Sequence, residues 1–89
     1  MYYVYIIKSL KNSTLYVGYT NNLRIRFDEH NHGNKPDSFT YRNRPWTLVY
    51  YEAYKSKSDA VLREKKLKQH GSAIRLLKER IHTSISSLE

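Results

Sequence analysis

The sequence predicts an α+β domain: a three-stranded antiparallel sheet flanked by three helices, in the order β-β-α-β-α-α. Three observations predict it. Aromatic and β-branched runs at 2–8, 14–20 and 47–54 read as strands. The break between the first two is short and implies a hairpin. Stretches with helix caps and helical spacing come after the second and third runs.

The first strand runs from Tyr2 to Lys8, and Ser9 to Ser13 is rich in turn residues. The second runs from Thr14 to Thr20. Gly18 inside it weakens the strand, and such a glycine often marks close approach by backbone or ligand. Asn21 or Asn22 caps a helix reaching about Asn31, with Leu23, Phe27 and His30 on one face and Arg26 at its edge. Residues 31–46 hold Gly33, Pro36 and Pro45 without periodicity, and read as a functional or mobile loop. After the third strand, Ser56 or Ser58 starts a second helix that ends near Gly71. Ser72 caps a third, whose apolar stripe is Ala73, Ile74, Leu77 and Ile81. From His82 onward the chain reads as weakly structured. One domain is therefore expected over 1–82, with a tail over 83–89 and no internal repeat.

Eighty-nine residues bury only about 60–65% of the surface an unfolded chain exposes, so one thin core is expected. The chain has no cysteine, which removes disulfides and thiolate zinc sites. No run approaches the roughly 20 apolar residues of a membrane span, and the N-terminus lacks a signal-peptide pattern. The protein is read as cytosolic. Sixteen Lys+Arg against eight Asp+Glu leave a net charge of +8, a strong field that favours a polyanion. An acidic membrane is disfavoured because the basic residues face no lipid-like apolar surface. Nucleic acid is the expected partner.

Glu64 is out of place. With Ala60 at zero and about 100° per residue, Glu64 falls near 40°, between Val61 and Leu67 on the apolar stripe. An unpaired carboxylate buried there costs several kcal/mol, so a protein cation or a metal ion must compensate. Tyr5 and Tyr16 lie on paired strands and can share a face, although tyrosine is also an ordinary strand residue. Arg26 and His30 are four apart, so both can point to one site. An arginine fork suits phosphate, while a solvated arginine beside a half-buried histidine is the plainer alternative. Arg63, Lys65, Lys66 and Lys68 give the second helix a basic flank. Tyr41, Arg42 and Arg44 combine stacking with positive charge, as a nucleic-acid surface does. Simple solubilising charge explains the same residues. There is no Gly-rich phosphate loop, His30, His32, His70 and His82 lack metal-pair spacing, and no Ser/His/Asp triad can be argued.

Tyr3-Val4-Tyr5, with Tyr16-Val17-Gly18 eleven residues later, resembles the paired motif of the GIY-YIG nuclease family. The segment from Gly18 through Arg26 to His30 is similar to the family's segment after the second half of that motif, and Ala60 to Lys68 resembles the family's metal-binding helix. The likeness spans residues 2 to about 80 and suggests a stand-alone, minimal form related to the N-terminal nuclease module of UvrC excision-repair proteins. It implies that Tyr5 and Tyr16 flank the attacking water and Arg26 contacts the scissile phosphate. His30 would assist the nucleophile, and Glu64 would ligate one divalent ion, magnesium or manganese. It implies a DNA endonuclease, favouring DNA over RNA, with structure-specific or repair substrates and a protein partner for targeting as extensions.

The chain departs from the family's pattern in two places. Tyr3 stands where the family name has glycine, and there is no asparagine after Asn43, where many members carry one near the active site. Ser72 or Ser84 would fill that role, or it is vacant. A nucleic-acid-binding module that kept the fold and lost the chemistry is the alternative.

Overall fold

The computed structural model describes residues 1–86 apart from 34 and 36. Strands β1 (Tyr2–Ser9), β2 (Leu15–Thr20) and β3 (Trp46–Tyr54) form one antiparallel sheet in the order β2-β1-β3. The central strand is the most apolar, with Val4, Tyr5, Ile6 and Ile7 buried, because both of its faces are covered. Alternation divides them. Val4 and Ile6 join Ala60, Leu67, Leu77 and Ile81 in the larger core, under helices α3 (Lys57–Gln69) and α4 (Gly71–Arg80). Tyr5 and Ile7 face the other way and join Trp46, with Tyr16 and with Leu23 and Phe27 of helix α1 (Leu23–His32) packed against them.

β1 and β3 fall out of step once. Ile6 pairs with Tyr50 and Ile7 with Leu48, so Val49 is an extra residue. A bulge of this kind re-aims neighbouring side chains. Here it puts Leu48 on the face of Tyr51, the cross-strand partner of Tyr5. Both expected caps form: the Asn22 side chain accepts from Ile25 N and that of Ser56 from Asp59 N.

Among the described residues there are five helices rather than three. The loop expected over 31–46 contains α2 (Phe39–Arg42), opened by Ser38, whose Oγ accepts from Tyr41 N at 3.2 Å. Four residues are too few to show a period. α4 begins at Gly71, ahead of Ser72, and has no side-chain cap. The chain from His82, expected to be weakly structured, forms α5 (His82–Ser86). Ile85 packs against the larger core, and its carbonyl accepts from Lys8 Nζ at 2.8 Å. Residues 87–89 of the expected tail, and Pro36, lie outside the described residues. Among the described residues no helix is long and apolar enough to cross a membrane.

Candidate active site

Tyr5 stands directly opposite Gly18 in the β1–β2 ladder. A Cβ on residue 18 would overlap Cζ and Oη of Tyr5. The glycine predicted to mark a close approach therefore admits a tyrosine ring across the neighbouring strand. Tyr5 Oη lies 2.6 Å from His30 Nε2 in a buried contact. α1 delivers that imidazole because Leu23 and Phe27 dock the same helix face on the sheet. His30 is 2% exposed, and its Nδ1 is buried without a hydrogen-bond partner among the described residues. An unsatisfied buried polar atom costs about 1–3 kcal/mol, so this site carries an unrelieved cost.

Burial, reinforced by the Arg26 guanidinium one turn earlier, holds His30 down at about 4 against the opposing pull of Glu29. Burial pushes Tyr5 up to about 12; Arg26 opposes that shift, while Tyr16 and Glu64 add to it. At neutral pH the pair is a phenol and a neutral imidazole. Arg26 acts on both groups, yet its side chain is 42% exposed, with Nη1 3.2 Å from Glu29 Oε1. It opens onto a cleft of about 320 Å³ shared with Gly33, Ser38 and Tyr41.

Tyr16 is half-buried, whereas Tyr5 is fully enclosed. Its ring meets His30 edge-on at 5.3 Å and lies 6.1 Å from Phe39 and 6.2 Å from Trp46. Lys68 Nζ sits 5.4 Å from the centre of that ring and 3.2 Å from Glu64 Oε2. Glu64 is half-buried between Ala60 and Leu67, as the helical wheel predicts, and its partner in this structure is the Lys68 ammonium. Tyr5, Tyr16, Arg26, His30 and Glu64 are thus brought together.

A divalent ion fits this place in one manner. Among the described residues no three His, Cys, Asp or Glu side chains gather to cage a metal. Magnesium is commonly held by one or two carboxylates, with waters and substrate phosphate completing the shell. Glu64 offers one carboxylate, which the Lys68 ammonium pairs with in this structure.

The predicted nucleic-acid contacts divide. Arg44 Cζ lies 3.8 Å over the Tyr41 ring, so these two form a stacked basic unit. Arg42, Lys65 and Lys66 are exposed. Arg63 sits in a different cluster from the other basic residues. Its Nε and Nη2 each donate to Glu52 at 2.9 Å, and the Tyr50 and Tyr54 hydroxyls donate to the same carboxylate. A bidentate pair is stronger than a solvated contact and orients the guanidinium toward β3. The signal for this network is present in the sequence, since alternation puts Tyr50, Glu52 and Tyr54 on one strand face. The two serines that could replace the absent asparagine stay apart from Tyr5. Ser72 lines a cleft with Arg63 and Arg80, and Ser84 is exposed on α5.

A family model described as the GIY-YIG catalytic domain matches residues 1–79. A UPF0213 protein of Staphylococcus haemolyticus is 46% identical over 67 residues, covering 75% of this chain and 79% of that protein. A UPF0213 protein of Staphylococcus aureus is 38% identical over 81 residues, covering 89% of this chain and 96% of that protein. The solution NMR structure of a UPF0213 protein from Bacillus halodurans is similar, with a TM-score of 0.56 and 26% identity. The match covers 100% of this chain and 98% of that one.

Proposed function

The chain belongs to the GIY-YIG catalytic-domain family, and on that premise we propose that it is a divalent-metal-dependent endonuclease hydrolysing phosphodiester bonds in DNA. The observation that carries this reading is the buried Tyr5–His30 contact with Arg26 acting electrostatically on both groups.

Phosphodiester hydrolysis needs a proton acceptor near the attacking water and positive charge on the phosphate. In the free protein Arg26 supplies the charge, but the proton acceptor is weak: Tyr5 does not ionise, and His30 is held neutral at about 4. Substrate changes this. Burial is the larger cause of the low His30 value and Arg26 the smaller; a phosphate paired with Arg26 offsets the second, so Nε2 becomes a better acceptor of the Tyr5 hydroxyl proton as substrate arrives. Tyr16 is the more accessible tyrosine and faces the water, while Tyr5 positions His30. Glu64 holds the divalent ion, which when bound supplies positive charge to the phosphate and leaving oxygen. Tyr41, Arg44, Lys65 and Lys66 draw in the nucleic acid by general attraction.

The test is metal-dependent cleavage of linear, nicked, flapped and branched DNA by wild type, Arg26→Ala and Glu64→Gln. Arg26 is one of sixteen basic residues. Its removal should cut cleavage by about 10²–10³-fold while weakening binding little. Glu64→Gln should remove metal-dependent cleavage with the fold intact. Normal cleavage by Glu64→Gln overturns the metal assignment. Equal losses of binding and cleavage in Arg26→Ala reduce that residue to a docking contact. A wild type that binds DNA but cuts none leaves a nucleic-acid-binding module.

A further inference from the structure

A larger cleft than the one beside Arg26 lies at α1 and β3, with a volume of about 640 Å³. That is within the roughly 300–1,000 Å³ of small-molecule sites. Its floor is the sheet face that carries Tyr5. Tyr3 is two residues along β1, and Tyr51 pairs directly with Tyr5. The rings of Tyr3 and Tyr51 meet edge to face with centroids 6.0 Å apart. Tyr51 is 52% exposed, and Leu48, brought round by the bulge, is 36% exposed. α1 forms one wall, and Asn21, Arg24 and Asp28 contribute to the lining.

We propose that this cleft receives an unpaired nucleobase from single-stranded nucleic acid. The floor is aromatic, and every base has a face that stacks on such a surface. The polar lining selects a base over a plain phosphate chain. Arg24 can meet one phosphate, but the Asp28 carboxylate beside it repels a dense run of them. The same carboxylate accepts from an exocyclic amine, and the Asn21 amide both donates and accepts. A duplex hides its base faces and offers phosphates, which suits this cleft poorly. Tyr51 and Tyr5 are direct partners on adjacent strands, so the backbone beneath this base lies about one strand spacing, ~5 Å, from the backbone that carries Tyr5. The inference shares with the proposed function only the premise that the substrate is a nucleic acid.

The experiment uses a short single strand carrying 2-aminopurine, with chelator present so that no cleavage occurs. Wild type should quench the fluorescent base by stacking. Tyr51→Ala should lose the quench and bind the single strand about tenfold more weakly, with duplex affinity unchanged. Tyr51→Phe should behave as wild type. If Tyr51→Ala does not fold, Leu48→Glu puts a charge on the same floor and should abolish the quench. No quench by wild type overturns the proposal, as does equal loss of single-strand and duplex binding in Tyr51→Ala. Cleavage is measured in parallel. Quenching without cleavage fails the nuclease reading alone, and cleavage without quenching fails this inference alone.

Discussion

The two faces of the sheet use similar residue types to opposite ends. On the face under α3, Glu52 accepts from both sides of the Arg63 fork and from the Tyr50 and Tyr54 hydroxyls. Burial alone would raise that carboxyl, but Arg63 and the two tyrosines outweigh it and hold Glu52 below the usual carboxylate range. On the face under α1, among the described residues, His30 meets one hydroxyl, that of Tyr5, and its Nδ1 has no hydrogen-bond partner. A fully satisfied network rigidifies. A partly satisfied one stores cost, and its protonation responds to whatever arrives. The first is an anchor. Because Arg63 immediately precedes Glu64, it also fixes the rotation of α3 that presents Glu64 and Lys68 to Tyr16. The second is the reactive centre of the proposed function.

The largest effect on stability should come from breaking the anchor. Glu52→Ala leaves Arg63 without its partner and two half-buried hydroxyls without an acceptor. Breaking a buried pair costs about 3–5 kcal/mol. The Arg63 side chain is 29% exposed and Glu52 15%, so solvent softens the loss to about 2–3 kcal/mol. Urea unfolding measures it. A loss below about 0.5 kcal/mol, the size of an ordinary surface change, would make the two faces energetically alike.

A smaller effect separates the faces by pH. An ordinary histidine titrates near 6.5, and folding lowers His30 to about 4. Above 6.5 both states are neutral and the group contributes nothing to the pH dependence. As pH falls below 6.5 the unfolded chain takes up a proton that the folded chain refuses, so stability falls with pH. Between pH 6.5 and 5 the loss amounts to about 1.5 kcal/mol. The remaining histidines, His32, His70 and His82, are exposed. Unfolding of wild type and His30→Gln across that window should show the slope in the first and not in the second. Parallel slopes would mean that His30 is not held neutral by burial.

Much of this is legible in the sequence because it is local. Strand runs, the Asn22 and Ser56 caps and the shared face of Leu23, Phe27 and His30 come from spacing within a few residues. Glu64 stands out because a single charge interrupts a helical stripe. Arg63 reads as a basic helix flank because its partner lies eleven residues earlier on a strand, and no helical spacing reports that. α5 escapes the sequence because its anchors are Lys8 and the larger core, which the chain reaches only after folding. The bulge at Val49 is equally silent. It exists in the register between two strands about forty residues apart, and without it Leu48 and Tyr51 would not share a face.

The smallest effect bears on which cation belongs to Glu64. Lys68 is 45% exposed and four residues beyond Glu64 on α3, an arrangement that contributes only about 0.3–0.5 kcal/mol. Lys68→Met keeps an apolar stem near the Tyr16 ring and removes the charge. The metal-free protein should therefore lose no more than about 0.5 kcal/mol. Its affinity for manganese should rise, because an ion arriving at Glu64 no longer displaces an ammonium. Relief of that competition alone is worth about twofold, and removal of the like charge adds to it. A manganese titration without DNA, monitored by tyrosine fluorescence, reads this independently of cleavage. Unchanged affinity would place the ion elsewhere and leave Glu64–Lys68 as a structural pair. Tighter manganese binding with weaker cleavage would give Lys68 a second task, contact with the phosphate once the ion has taken its place on Glu64.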